Sequence, residues 1–115
     1  MGLPRHNNVY GQLVAPDGLR AVARAAEAVA GPGCAAAYRD RASDTERLRL
    51  RSDTADLDSL PLPGGTDHLF NGSVAGPTAD VLVFVRALSV ALTKEGVEHS
   101  FEVLDREQKQ SWCVP

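Results

Sequence analysis

The sequence predicts an α+β domain of the ferredoxin-like kind, a split β-α-β sandwich whose antiparallel sheet carries two helices on one face. Three observations predict it. Residues 76–96 read as a largely apolar helix with a narrow polar stripe and defined ends. Residues 16–30 read as a second, alanine-rich one. The third is a weak internal repeat. Val9-Tyr10-Gly11-Gln12-Leu13-Val14-Ala15-Pro16 resembles Leu69-Phe70-Asn71-Gly72-Ser73-Val74-Ala75-Gly76-Pro77, and Ala21-Val22-Ala23-Arg24-Ala25 resembles Val83-Phe84-Val85-Arg86-Ala87. Each copy then passes a glycine break into a strand with an aromatic, Tyr38 or Phe101. Each half therefore reads β-α-β, and two such units make the split arrangement.

The chain is organised around residues 68–105, which read strand, helix, strand. Gly76-Pro77-Thr78 opens the helix, because proline lacks only a donor that is unpaired there anyway. Asp80 in the first turn and Lys94 in the last complement the helix dipole, and Gly96 suits the left-handed residue past the end. Val81, Val85, Leu88 and Leu92 share one face, Leu82, Val83, Phe84 and Val90 widen it, and a helix this apolar should be mostly buried. Arg86 near the middle, between polar flanking strands, argues against a membrane span.

The elements before it follow from period and punctuation. Residues 1–8 form a flexible terminus. Residues 9–15 alternate as a strand, with Val9, Gly11 and Leu13 on one face and Tyr10, Gln12 and Val14 on the other. Pro16 and Asp17 start a helix whose Leu19, Val22, Ala23, Ala26, Val29 and Ala30 share a face, and Gly31-Pro32-Gly33 stops it. Residues 34–40 and 46–52 pair as a hairpin around a turn at 41–45. Residues 53–66, with three aspartates, two prolines and a Gly64-Gly65 pair, read as the main loop, with a short helical turn allowed at 54–60. A polar tail, 106–115, closes the chain.

Composition bounds the function. One hundred and fifteen residues suit one domain. A net charge of −3 and a pI near 5.5 argue against nucleic acid as the main partner. Two cysteines, Cys34 and Cys113, are too few for a disulfide framework and read as separate reduced thiols. No basic start followed by an apolar run marks a secretory leader, so a cytoplasmic location is expected.

Candidate sites are few. Arg47, Arg49 and Arg51 alternate and would stand together on one face, where they could grip phosphate or carboxylate or simply be solvated. Asp53, Asp56 and Asp58 lack the spacing of a cation loop and read as solvated carboxylates facing a partner. His68, His99, Cys34 and Cys113 lack zinc-ligand spacing, so no metal is expected, and the two histidines read as polar strand ends. Arg20 and Asn71 have the residue types of an acyl-phosphate site, by type alone. No cofactor motif is present, and no nucleophile has an evident base, so the reading leans away from an enzyme.

The sequence thus points to a small acidic protein-binding domain, of the class of immunity or antitoxin inhibitors or of regulatory partners. It would meet a basic surface on another protein through Asp53, Asp56, Asp58 and Glu102. The alternative is a small-molecule or enzymatic site on the open sheet face using Arg47, Arg49 and His99. A homodimer pairing two open sheets is a third.

Overall fold

The structure, a computed structural model, describes residues 3–4, 6–105, 107 and 109–115. Its elements are β1 (Val9–Val14), α1 (Arg20–Ala30), β2 (Ala35–Asp40), β3 (Thr45–Arg51), β4 (Ala55–Pro61), β5 (Asp67–Val74), α2 (Thr78–Lys94), β6 (Glu98–Leu104) and β7 (Ser111–Val114). The strands form one sheet of order β2-β3-β4-β5-β1-β6-β7, and every neighbouring pair is antiparallel. Both helices pack against each other and against one face of it. The α+β class, the two helices on one face and the pairing of β1 with β5 agree with the sequence reading.

The strand order is not ferredoxin-like, and β4 is the reason. The second unit is a split β-α-β: β5, α2 and β6, with β1 inserted between the two strands. The first unit is not. Residues 53–66 contain a strand instead of a loop, so β3, β4 and β5 run as a meander. That meander carries β2 to the far edge, four places from β1. The segment forms a strand because Ala55, Leu57 and Ser59 alternate inward while Asp56 and Asp58 point out.

The C-terminal segment also differs from expectation. Ser111–Val114 pairs with β6 as an edge strand, with Val114 in the core and Trp112 packed against it. At the other end, Asn8 is not frayed. Its backbone N–H bonds the Gly72 carbonyl at 3.0 Å. Its side chain exchanges two 2.9 Å bonds with the Val74 backbone. Helix α1 begins at Arg20 and not at Pro16, because Gly18 turns the chain with φ 97°. The Leu19 N–H at the helix entry then donates to Glu46 Oε1 of β3 at 3.0 Å. Helix α2 keeps the expected ends, with Asp80 in its first turn, Lys94 in its last and Gly96 left-handed.

The core lies between sheet and helices. Val9 and Leu13 of β1, Leu48 and Leu50 of β3, Leu57 of β4, Phe70 of β5 and Val103 of β6 are fully buried on that side. They meet Val22, Ala25 and Ala26 of α1 and Val81, Val85, Leu88 and Leu92 of α2. The opposite face of the sheet has no layer over it among the described residues. Among them, too, no helix is long and apolar enough to cross a membrane.

Candidate functional site

The open sheet face is the candidate site, and it divides into two halves of different electrostatic character. The first is built by β2, β3 and β4. Alternation with Leu48 and Leu50 turns Arg47, Arg49 and Arg51 onto it, as the sequence implies. Alternation in β4 turns Asp56 and Asp58 onto the same face, with Asp56 opposite Arg51 and Asp58 opposite Arg49. Arginines and aspartates that read as two separate candidates are thus brought together.

They satisfy one another. Arg49 grips Asp56 with two bonds, Nε to Oδ1 at 3.0 Å and Nη2 to Oδ2 at 2.9 Å. This grip holds the Asp56 carboxyl below the usual carboxylate range. Arg47 is the hub. Its Nε donates to the Ser59 carbonyl at 2.7 Å, its Nη2 to Asp58 at 3.2 Å and its Nη1 to Asp40 at 3.4 Å. Its guanidinium carbon stands 5.7 Å from the centre of the Tyr38 ring, within cation–π range. The Tyr38 hydroxyl donates to Asp58 at 3.1 Å, and desolvation together with that carboxylate pushes the phenol upward. Arg47 and Arg49 therefore form a structural clasp across three strands. Asp56 and Asp58 are ion-paired instead of solvated, which corrects the loop reading. Asp53 alone keeps an exposed bend position, between β3 and β4.

This clasp sets an expected result. Arg47 has a side chain only 22% exposed and makes three charge-assisted bonds. Arg47→Ala should cost about 1–2 kcal/mol in a denaturant melt. Arg51 is exposed and makes no ion pair among the described residues, so Arg51→Ala should stay within about 0.5 kcal/mol. Equal losses for the two variants would remove the clasp from the stability account.

The second half is built by β5, β1, β6 and β7, and it is acidic. Across β1 and β6, Tyr10 faces Glu102, Gln12 faces Ser100 and Val14 faces Glu98. Asp67 lies beside Val14 on β5, and Cys113 beside Glu102 on β7. Asp67, Glu98 and Glu102 have no counter-ion among the described residues. Between the halves runs an apolar centre: Leu60 is 48% exposed, Leu69 lies directly beside it, and Tyr10 is 37% exposed. Tyr10, Asp67 and Glu98 were not singled out from the sequence. The visible signal was that Tyr10, Gln12 and Val14 share a face; their carboxylate neighbours come from strands far away in the chain.

His99 does not join this face. It sits on the helix side of β6, four strands from Arg47 and Arg49 in the sheet order. That is roughly 19 Å at the usual strand spacing. Its Nδ1 donates to the Val97 carbonyl at 2.8 Å, and its Nε2 lies 2.7 Å from Ser89 Oγ. Ser89 Oγ also bonds the Pro115 carbonyl, which ties the last strand to α2. A serine and a histidine in contact invite comparison with a nucleophile and its base. Here a backbone carbonyl and not a carboxylate orients the ring, and Ser89 is buried. The contact is a packing tie.

The remaining candidates stay apart. Arg20 lies in the helix layer, whereas Asn71 is on the open face with its Oδ1 accepting the Gly11 N–H at 3.1 Å. The Cys34 thiol reaches the Ala26 carbonyl and is pushed upward by burial. His68 is not a polar strand end: it is buried on the helix side, with no hydrogen-bond partner at Nδ1, and desolvation pushes its imidazole below the ordinary range. It walls a cavity of about 250 Å³ with Pro16, Gly18, Glu46, Pro61 and Gly65. Among the described residues, no three metal-ligating side chains gather.

No family model, curated protein or solved structure gives a significant match to this chain.

Proposed function

We propose that this protein is a non-enzymatic binding domain that docks a protein with a basic surface on the open face of its sheet. The class is that of small acidic inhibitors and regulatory partners. One observation carries the reading: Glu102 beside the exposed Tyr10, and Asp67 and Glu98 on either side of Val14, have no counter-ions among the described residues, while Arg47 and Arg49 of the same face are committed to Asp40, Asp56 and Asp58. The β5, β1 and β6 half offers three uncompensated carboxylates, whereas Arg51 is the arginine of the β3 row left without an ion pair among the described residues. Tyr10, Leu60 and Leu69 supply the apolar centre that interfaces place inside a polar rim, and tyrosine is a frequent anchor there. The carboxylates raise the association rate and exclude acidic competitors. In this reading the binding residues are Glu102, as the sequence suggested, with Asp67 and Glu98 replacing Asp56 and Asp58.

The experiment begins with affinity capture from the native host. Association of the captured protein is then measured for wild type and for the D67N/E98Q/E102Q variant at low and high salt. The variant should associate at least about tenfold more slowly at low salt, and the difference should shrink at high salt. Equal rates at both salts would overturn the reading.

A further inference from the structure

We propose that the outward face of α2 is a self-complementary dimer interface, occupied by the same face of a second copy of this chain in antiparallel orientation. The helix has 17 residues and is about 25 Å long. Its inner face is spent on the sheet. Its outer face carries Asp80, Val83, Ala87, Val90 and Lys94, all exposed. Val83 is 65% exposed and Val90 57%, the two most exposed large apolar side chains among the described residues.

The spacing along this stripe is three, four, three, four, the seam on which one helix packs into another. The stripe is also nearly symmetric about Ala87. Asp80 lies seven residues before it and Lys94 seven after; Val83 lies four before and Val90 three after. A two-fold axis through Ala87 therefore sets Asp80 against Lys94 of the second copy, twice, and Val83 against Val90, twice. Ala87 meets Ala87 at the crossing, where a small side chain lets the helices approach. This is the isologous geometry of a two-fold dimer, in which each contact occurs twice. Neither Asp80 nor Lys94 has an ion-pair partner within the chain among the described residues. The charge pattern and the symmetry of the stripe thus both select this occupant.

The contact is small, so the dimer is weak, with a Kd on the order of 10–100 μM. It does not depend on the function proposed above. The seam lies on the far side of the molecule from the open sheet face, so each dimer presents two such faces outward.

Sedimentation equilibrium of the full chain over a range of concentrations tests this. Wild type should pass from monomer to dimer. Asp80→Lys places two lysines against two lysines, and Lys94→Asp two aspartates against two aspartates; each alone should raise Kd at least about tenfold. An equimolar mixture of the two variants restores both ion pairs and should dimerise to within about threefold of wild type. Ala87→Arg changes an exposed position to another good helix former, so it should fold normally and block the crossing. Circular dichroism confirms helix content for each. A wild type that stays monomeric to about 1 mM, far above the expected Kd, would overturn the proposal. So would charge-reversed variants that dimerise like wild type, or a mixture that does not recover.

Discussion

Leu88→Ala is expected to destabilise the protein by about 2–5 kcal/mol. Leu88 is fully buried at the middle of α2 and shares its inward face with Val81, Val85 and Leu92. The helix is held on two sides, by α1 and by the sheet, so the surroundings cannot collapse freely into the space left behind. Such sites fall toward the upper part of the range. A urea melt with an unchanged slope measures the loss. A loss below about 1 kcal/mol would mean that α2 turns a different face to the sheet.

Gly72→Ala is expected to cost about 3 kcal/mol, although it adds one methyl group. The cause is not backbone conformation, since Gly72 is absent from the positive-φ glycines. It is space. Gly72 lies directly across from Leu57 in the β4–β5 ladder and across from Val9 in the β1–β5 ladder. A methyl there would overlap the Asp56 carbonyl oxygen and come within 2.7 Å of the Leu57 Cα. These are backbone atoms of a neighbouring strand and cannot rotate aside. Either β4 moves or the methyl is not accommodated. The expected fall in melting temperature is about 10 °C or more. A fall of under about 3 °C would show that β4 does not approach β5 this closely.

Gly72 also shows where sequence reasoning loses hold. Elements specified locally were legible: the ends of α2 and its Val81, Val85, Leu88 and Leu92 face, the hairpin of β2 and β3, and the likeness of β1 to β5, which proved to be neighbours; Val83 and Val90, expected to widen the buried face, are exposed instead. What was not legible depends on residues far apart in the chain. Asp56 and Asp58 oppose strand formation by propensity, and Pro61 reinforces a loop reading. They are tolerated in β4 because Arg47 and Arg49 of β3 neutralise them, and that pairing exists only once the register is set. Missing β4 cost the strand order, since without it β3 and β5 had no link. The site followed the same pattern. The arginine face was placed by alternation alone, but its partners were not. The acidic half draws on β5, β1 and β6, and only the sheet order sets Glu102 beside Tyr10 and places Asp67 and Glu98 on either side of Val14.

The proposed function requires that the acidic half of the open face, and not the arginine clasp, receives the partner. Backbone amide shift mapping tests it most directly: labelled protein is titrated with the captured partner and the perturbed residues are located. Perturbation is expected to centre on Tyr10, Gln12, Leu69, Ser100 and Glu102, with the N–H groups of β2 and the outer face of α2 unmoved. Perturbation confined to Ala35–Asp40, to α2 or to the cavity beside His68, with β1 and β6 silent, would contradict it.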